Sequence, residues 1–286
     1  MDFLHAVRTE TFMQNALLTG VLAGVACGVV GAYVVVRRIT VIAGSISHCI
    51  LGGMGAARYL QTVYGVSWAH PLLGATVAAL IAALVIGVVS LRAKQREDMV
   101  IGAVWAIGMA IGILFIARTP GYNEDLMSYL FGNILMVSGN DLYLIAGLDV
   151  LVVAVGLLFY NQLLAICFDE EFARLRGVPV EGYYLMLLCL AAITVVLLVS
   201  VVGIVMVIAL LTLPVAVAGQ FSRTLWQLMA ISSLLTVLFT TTGLAFSFGP
   251  DLPPGATSIL IAAAVYLLVL IGGAVVRKMR RTASTA

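Results

Sequence analysis

Charged side chains are scarce in this sequence. Asp, Glu, Lys and Arg make up 10% of its 286 residues, whereas hydrophobic residues make up 63%. Soluble globular domains carry about 25% charged residues, so this composition excludes an ordinary soluble fold, and the mean hydropathy of +1.15 agrees. The formal net charge of +2 gives no indication of a nucleic-acid partner, and none is expected.

Cysteine is rare as well, and its spacing carries no motif. The four cysteines (residues 27, 49, 167 and 189) occur singly in or beside apolar stretches, without a CxxC pair. This pattern excludes a disulfide framework and a zinc–thiolate site, and no permanently bound cofactor is expected. The first ten residues mix Asp2, Arg8 and Glu10, which predicts a short interfacial segment rather than a cleavable signal peptide.

The sequence contains many long stretches without a charged residue. The charge-free windows are 11–36, 39–57, 59–91, 99–117, 150–168, 182–222, 224–250 and 252–276. One helical crossing needs roughly 20 apolar residues, so the longest window, 182–222, has room for two. We therefore predict an all-α polytopic membrane protein with eight to nine crossings, forming a single domain over residues 1–286.

The basic residues predict the orientation of these crossings. If the loops after the first, third and fifth helices, the turn at Arg223 and the C-terminal tail face the cytoplasm, they hold all the Lys and Arg residues except Arg8, Arg58 and Arg118. This is a strong positive-inside bias. It places the N-terminus outside and the C-terminus inside a bacterial cytoplasmic membrane, which requires nine crossings.

A polar cluster interrupts the second window. Residues 41–53 include Ser45, Ser47 and His48, with Gly44 before them and Gly52 after them. At membrane depth such groups are costly unless they face a bundle interior or a water-filled path, so they indicate a functional site. Ser45, His48 and Gly52 share one helical stripe. The alternative is that His48 only hydrogen-bonds a neighbouring helix.

Outside this cluster, three further positions are candidate site residues because they are polar or helix-breaking. Asp149 lies some eight residues into the predicted fifth helix, about 142–165, and is either at headgroup depth or a true intramembrane acid. Asp125 belongs to a short segment, 120–135, that we place at the outer surface. Window 182–222 is expected to reverse near Gly203, with Pro214 breaking its second pass. Asp125, Asp149 and Pro214 are candidates for the pathway or an outer gate.

The main hydrophilic interruption is segment 169–179. Phe172 and Leu175 have helical spacing, and the segment ends in Gly177-Val-Pro179, which is typical of a helix stop. We predict a short amphipathic helix, about 169–178, along the membrane face. It is either gripped by a cytoplasmic partner or is an interfacial helix with no partner. Because few acids or bases lie within the spans, the energy source for transport is expected on another chain.

Several motifs occurring in order resemble the permease subunit of bacterial ABC importers for zinc, manganese or iron. In the first half they are Arg37-Arg38, then Gly44-Ser-Ile-Ser-His48-x-x-x-Gly-Gly53, then Glu97-Asp-x-x-Ile-Gly102-x-x-Trp-Ala, then Asp125-Leu-x-Ser-Tyr-Leu-Phe-Gly. In the second half they are Phe168-Asp-x-Glu-x-Ala173-x-x-x-Gly177 and Val202-Gly-Ile-x-Met-Val-x-Ala-Leu-Leu-x-Leu-Pro214. The resemblance extends from about residue 12 to residue 276.

The resemblance implies an assembly and its contact points. The expected partners are a second permease (an identical chain or a paralogue), a cytoplasmic ATP-binding subunit, an extracytoplasmic metal-binding protein and membrane lipid. This chain is then a transport subunit and not itself an enzyme. The residues expected to couple it to the ATPase are Asp169, Glu170, Ala173, Arg174 and Gly177.

The resemblance also implies a metal pathway at His48, with Ser45 and Ser47 beside it. Many family members carry an aspartate four residues before the histidine, where this sequence has Gly44. A lone imidazole with hydroxyls suits a transient station, since conduction requires weak binding. Zinc is placed first because imidazole suits it, with manganese or iron as alternatives. The rival functions are a secondary metal carrier without an ATPase, a siderophore or cobalamin permease, and a non-transport scaffold.

Overall fold

The computed structural model describes residues 3–92, 97–120, 132, 134, 137, 139–250 and 252–283. No β-strand occurs among them. The helices are α1 (Phe3–Thr9), α2 (Thr11–Val36), α3 (Thr40–Tyr64), α4 (Pro71–Arg92), α5 (Glu97–Arg118), α6 (Gly139–Leu158), α7 (Tyr160–Phe168), α8 (Glu170–Leu175), α9 (Val180–Val202), α10 (Ile204–Ala218), α11 (Leu225–Phe248) and α12 (Pro254–Ala283). The all-α prediction is confirmed.

Seven helices in the described residues are long and apolar enough to cross a membrane: α2, α3, α4, α5, α9, α11 and α12. An eighth span is the pair formed by Ile145–Leu158 and Tyr160–Phe168, which is bent by 68°. The chain is therefore a multi-pass integral membrane protein. Helix α10 has only 15 residues, or about 22 Å of length, against a hydrocarbon core of about 30 Å.

Contacts made by α2 fix the directions of two other helices. Asn15 donates to the Val137 carbonyl at 3.2 Å, and the Tyr33 hydroxyl donates to the Gly156 carbonyl at 2.8 Å. The later residue of α2 contacts the later residue of the segment that contains α6, so α6 runs parallel to α2. Ser232 donates to the Gly28 carbonyl at 3.1 Å, whereas Gly20 faces Thr240, so α11 runs antiparallel to α2.

The same reasoning shows that α10 is a return crossing. Gly53 lies against Ala78, and Ala57 lies against Gly74, so α4 runs antiparallel to α3. Helix α9 starts beside the C-terminal end of α2, where Arg37 meets Tyr184. Helix α9 is antiparallel to α4, since Gly87 meets Leu188 and the hydroxyls of Ser90 and Tyr184 are 3.3 Å apart. Both α9 and α11 thus oppose α2, and the chain must return between them. Helices cover each predicted segment, and seven of them, or eight with the bent pair, are long and apolar enough to cross a membrane.

Two predicted details of these helices are wrong. The segment expected as one helix over 142–165 breaks at Phe159. Pro214 does not break α10, which continues through it from Ile204 to Ala218. The break falls instead at Gly203, whose φ of 80° and ψ of 162° define a region that only glycine occupies readily. A proline inside a membrane helix is tolerated because neighbouring groups satisfy the freed carbonyl.

The bundle has a buried centre and exposed outer helices. Most of α2, α3 and α9 is buried, whereas little of α5 and of the described part of α12 is buried. The first segment forms helix α1, whose Phe3 ring packs edge-on against Phe248 at 6.0 Å. Helix α1 therefore lies at the end of the bundle where α11 finishes, opposite to the end that carries α8.

Candidate functional site

His48 lies on the face of α3 that packs against α5. Its imidazole stacks on the indole of Trp105, with ring centroids 4.4 Å apart and planes inclined by 11°. The Trp105 Nε1–H is directed to the Met109 sulfur at 3.1 Å, which holds the indole in place. Neither nitrogen of His48 has a hydrogen-bond partner within the described part of the chain. The ring is thus oriented by stacking, and its nitrogens remain available to a ligand.

The two serines beside His48 are fully buried and already donate hydrogen bonds. The Ser45 hydroxyl donates to the Ile101 carbonyl of α5 at 2.9 Å, and the Ser47 hydroxyl donates to the Ala43 carbonyl at 2.9 Å. Ser45 shares the His48 stripe, but Ser47 does not, because adjacent residues on a helix point in different directions. Of the two, Ser45 is the one placed to offer an oxygen lone pair beside the imidazole.

Glycines bring α3 and α5 close enough for this stacking. A Cβ on Gly52 would lie 2.7 Å from the Gly108 carbonyl oxygen, and one on Gly108 would lie 2.7 Å from the Cys49 Cα. Small residues of this kind allow membrane helices to pack backbone to backbone. The Cys49 thiol also contacts the Val104 carbonyl at 3.0 Å. We call this contact surface between α3 and α5 the histidine seam; it contains Ser45, His48, Cys49 and Gly52 of α3 and Ile101, Val104, Trp105 and Gly108 of α5.

Gly44 lies one helical turn before His48 and has room for a side chain. The nearest heavy atom to a Cβ built there is Ile208 Cδ1, at 3.8 Å, which is an ordinary van der Waals distance. A residue at this position would project on the same side of α3 as His48. Packing around the Cβ position therefore does not require a glycine here.

The histidine seam offers few metal ligands. Within the described ranges no group of three or more His, Cys, Asp and Glu side chains is placed to hold a metal ion. Structural metal sites are closed by about four protein ligands. One imidazole with a neighbouring hydroxyl can lend ligands to a passing cation but cannot enclose it.

Asp149, whose depth the sequence left open, is buried against the middle of α2. It is 4% exposed, and its carboxyl group lies against the backbone of Ala26, near the middle of α2. Its Oδ1 atom has no hydrogen-bond partner among the described residues. Asp149 and His48 belong to different helix pairs, α2–α6 and α3–α5, so the structure does not join them into one site.

The two other pathway candidates differ in what can be said of them. Asp125 lies outside the described residues. Pro214 is buried in the second half of α10, where the neighbouring Leu211 and Val215 approach Gly31. Gly31 is close to the end of α2 that carries Arg37. If the N-terminus is outside, as the basic residues predict, this is the inner half of the bundle, which does not favour an outer gate at Pro214.

Helix α8 is built by local capping at both ends. Asp169 is its N-cap and accepts a hydrogen bond from the Phe172 N–H at 2.9 Å. At the other end, the N–H groups of Gly177 and Val178 donate to the carbonyls of Arg174 and Ala173, both at 3.0 Å. This is a Schellman motif, and Gly177 takes the left-handed conformation that it requires, with φ of 77°.

The five coupling residues therefore have distinct positions. Ala173 is buried beneath α8, Glu170 forms an ion pair with Arg37 at the end of α2, and Arg174 is exposed. Phe168, Phe172 and Leu175 are also exposed, the last of them by 87%. Their apolar side chains project away from the bundle, and Glu171 and Arg174 are exposed beside them, so α8 presents a mixed apolar and charged surface.

Two residues that make key contacts in the structure, Trp105 and Arg37, were not predicted as site residues. Trp105 continues a stripe with Ile101, Gly108 and Gly112 at helical spacing, and that periodicity is a signal that could have placed it on the histidine seam. Arg37 gave no such signal, because its partner Glu170 is 133 positions away.

A multi-pass helical bundle with a polar intramembrane seam and a capped surface helix at one end is the architecture of a membrane transport protein. Comparison with known sequences identifies the family. The sequence model of the ABC 3 transport family matches residues 9–273. The chain belongs to this family, as the resemblance predicted, and is a transport subunit rather than an enzyme.

Individual relatives and a solved structure agree with this membership. A probable metal transport system membrane protein of Chlamydia pneumoniae is 44% identical over 239 residues, 84% of this chain and 81% of the relative. The manganese transport system membrane protein MntC of Halalkalibacterium halodurans is 33% identical. The match covers 93% of this chain and 89% of the length of that relative. The structure of PsaBC from Streptococcus pneumoniae in complex with Fab superimposes with a TM-score of 0.82 and 28% identity, covering 93% and 94% of the two chains.

Proposed function

We propose that this chain is the membrane permease subunit of an ATP-driven importer that moves a divalent metal ion into the cytoplasm. The observation that carries the proposal is the placement of His48. It is the one histidine on a membrane-spanning helix of the described structure, and its nitrogens are unpaired on a tightly packed seam. A single imidazole provides a station that binds an ion and then releases it.

Manganese is the first choice among the metals. A relative covering most of the chain is named for manganese transport, whereas zinc, which the sequence analysis placed first, gains no such support. Manganese accepts mixed nitrogen and oxygen ligands, which is what His48 and the neighbouring hydroxyl of Ser45 offer. Iron is the next alternative to test.

The partners proposed are those of an ABC importer. The exposed apolar and charged surface of α8 suits docking of a cytoplasmic ATP-binding subunit, and a metal-charged binding protein would dock at the opposite end. A second permease, identical or paralogous, would complete the pathway. The exposed apolar side chains of α4, α5 and α12 are available to lipid or to that second copy.

The bacterial cytoplasmic membrane is the proposed location, with the C-terminus inside. Arg37, at the end of α2, pairs with Glu170 of α8, so the basic loop after α2 and the segment containing α8 lie at one end of the bundle. Those loops hold many of the basic residues, and the positive-inside rule assigns that end to the cytoplasm.

Uptake by proteoliposomes tests the proposal. The chain is reconstituted with its ATPase subunit, a metal-charged binding protein is added outside, and accumulation of radioactive manganese is followed with and without ATP. We expect ATP-dependent uptake that excess manganese suppresses more strongly than zinc or iron. Equal uptake by the chain alone, without ATP, would instead identify a secondary carrier.

A further inference from the structure

The C-terminal turns of α2 contact the α6–α8 segment at two points. The Tyr33 hydroxyl donates to the Gly156 carbonyl at 2.8 Å, just before the 68° bend. One turn later, the Arg37 guanidinium pairs with the Glu170 carboxylate. Residues four apart lie on the same side of a helix, so one face of α2 holds both the bend and the start of α8.

Arg37 also contacts the helices on its other side. Its guanidinium lies 5.5 Å from the centroid of the Tyr184 ring of α9, a cation–π distance. Tyr184 is 3% exposed, and its hydroxyl is 3.3 Å from that of Ser90 on α4. The ion pair is itself partly buried, with side-chain exposures of 24% for Arg37 and 28% for Glu170. Burial reduces screening by salt, which makes this pair stiffer than an exposed one.

The connection from α2 to α3 is short and held in one conformation. It consists of residues 37–39, here called the α2–α3 joint. The N–H groups of Arg38 and Ile39 donate to the Val35 and Val34 carbonyls at 3.1 and 2.9 Å. Arg38 has φ of 62°, the left-handed conformation that glycine usually supplies at this position. Ile39 is 6% exposed, which anchors the joint in the core.

These contacts place Arg37 between the surface helix and the helix that carries His48. Helix α3 begins at Thr40, directly after the joint, and His48 lies about two turns further along. Because α3 and α5 pack through Gly52 and Gly108, a shift of α3 is transmitted to the whole histidine seam. A displacement of α8 therefore reaches His48 through one ion pair and one rigid joint.

We propose that Arg37 is a positioning residue that transmits movement of α8 to the α2–α3 joint and so couples ATP hydrolysis to metal movement past His48. This inference rests on the proposed function. It gives Glu170 an internal role, as the acceptor of that movement within the permease, rather than a direct contact to the ATPase.

The test measures how many manganese ions enter per ATP hydrolysed, using the full reconstituted complex in proteoliposomes. Arg37→Gln and Glu170→Gln should each lower this ratio by about fivefold, the lower end of typical coupling effects, with complex yield unchanged. The charge swap, Arg37→Glu with Glu170→Arg, should restore most of the ratio. Arg92→Gln removes an exposed arginine at the same end of the bundle and should leave the ratio as in the wild type.

The outcomes separate the inference from the function on which it rests. Wild-type ratios in both single variants would overturn the inference while leaving the transport function intact. A lowered ratio that the swap fails to restore would also overturn it, because each side chain would then act independently. If Arg37→Gln impairs assembly, the ratios measured for Glu170→Gln and for the charge swap still test the inference. Absence of ATP-dependent uptake of manganese, iron and zinc alike by the wild-type complex would reject both proposals.

Discussion

The imidazole of His48 and the indole of Trp105 lie nearly parallel across the α3–α5 interface, with centroids 4.4 Å apart. The stacking fixes the plane of the imidazole without using either of its nitrogens. A ligand that approaches in this plane meets a preoriented donor, and the energetic cost of ordering the ring has already been met by packing.

Removal of the imidazole should stop transport without disturbing the bundle. His48→Ala is expected to abolish ATP-dependent manganese uptake in proteoliposomes, while the complex still assembles and hydrolyses ATP. His70→Ala is the matched control, because His70 is exposed in the loop before α4. Uptake by the His48 variant at the wild-type rate would remove the histidine from the pathway.

The stacking partner should matter less than the histidine itself. Trp105→Ala releases the imidazole, and an aromatic pair contributes about 0.5–1.5 kcal/mol, so we expect manganese uptake to fall by about two- to tenfold. Trp105→Phe retains a ring and should recover most of the uptake. Trp226→Ala, which removes an exposed indole on α11, provides the control. A loss of uptake in the Trp226 variant as large as that in Trp105→Ala would argue against a specific role for stacking.

A carboxylate at position 44 should strengthen metal binding at the histidine seam. The structure has space there, with Ile208 Cδ1 3.8 Å from the expected Cβ, and the new group would lie one turn from His48. Gly44→Asp is expected to raise the affinity of the purified chain for manganese by about tenfold or more, measured by calorimetry. Gly44→Asn has the same shape without the charge and should not do so. Equal affinities for the two variants would show that position 44 does not face the ion.

The close approach of α3 and α5 predicts a stability difference between two glycines of the same helix. Gly108→Ala would place a Cβ 2.7 Å from the Cys49 Cα, whereas a Cβ at Gly102 meets nothing within 4 Å. Overpacking of this kind costs about 1–3 kcal/mol. Gly108→Ala should therefore lower the thermal unfolding temperature of the detergent-solubilised protein, and Gly102→Ala should leave it unchanged or slightly higher. Identical unfolding temperatures would mean that the helices separate without penalty.

Much of the fold could be predicted because a membrane helix is recognisable from a continuous run of uncharged, apolar residues. Absence of charge defined the windows that became α2 to α5, and basic residues marked the ends of α2, α4 and α5, whereas α3 continues past Arg58 to Tyr64. Segment 169–179 also carried its own boundary signals, since Asp169 caps α8 and Gly177 ends it. These features depend on residues a few positions apart, which a sequence displays directly.

What could not be predicted depends on contacts between distant residues. The bend at Phe159 is accompanied by the Tyr33 hydroxyl, which donates to the carbonyl of a residue 123 positions away. Pro214 was predicted to break its helix, but α10 continues through it from Ile204 to Ala218. The Ser45 hydroxyl is oriented by the Ile101 carbonyl, to which it donates across the α3–α5 interface. The partners of Gly156 and Ser45 both come from another helix, which a local sequence pattern does not display.

The shortness of α10 has a consequence for the surrounding lipid. A crossing shorter than the hydrocarbon core normally forces the bilayer to thin around it. Most of α10 is buried, with Ile204, Val207, Leu210 and Leu211 each at most 1% exposed, so neighbouring helices rather than acyl chains surround it. The backbone of Gly203 is satisfied as well, since its N–H donates to the Val199 carbonyl and its own carbonyl accepts from Val207. The mismatch is therefore absorbed inside the protein, and the thickness of the host membrane should have little influence on this crossing.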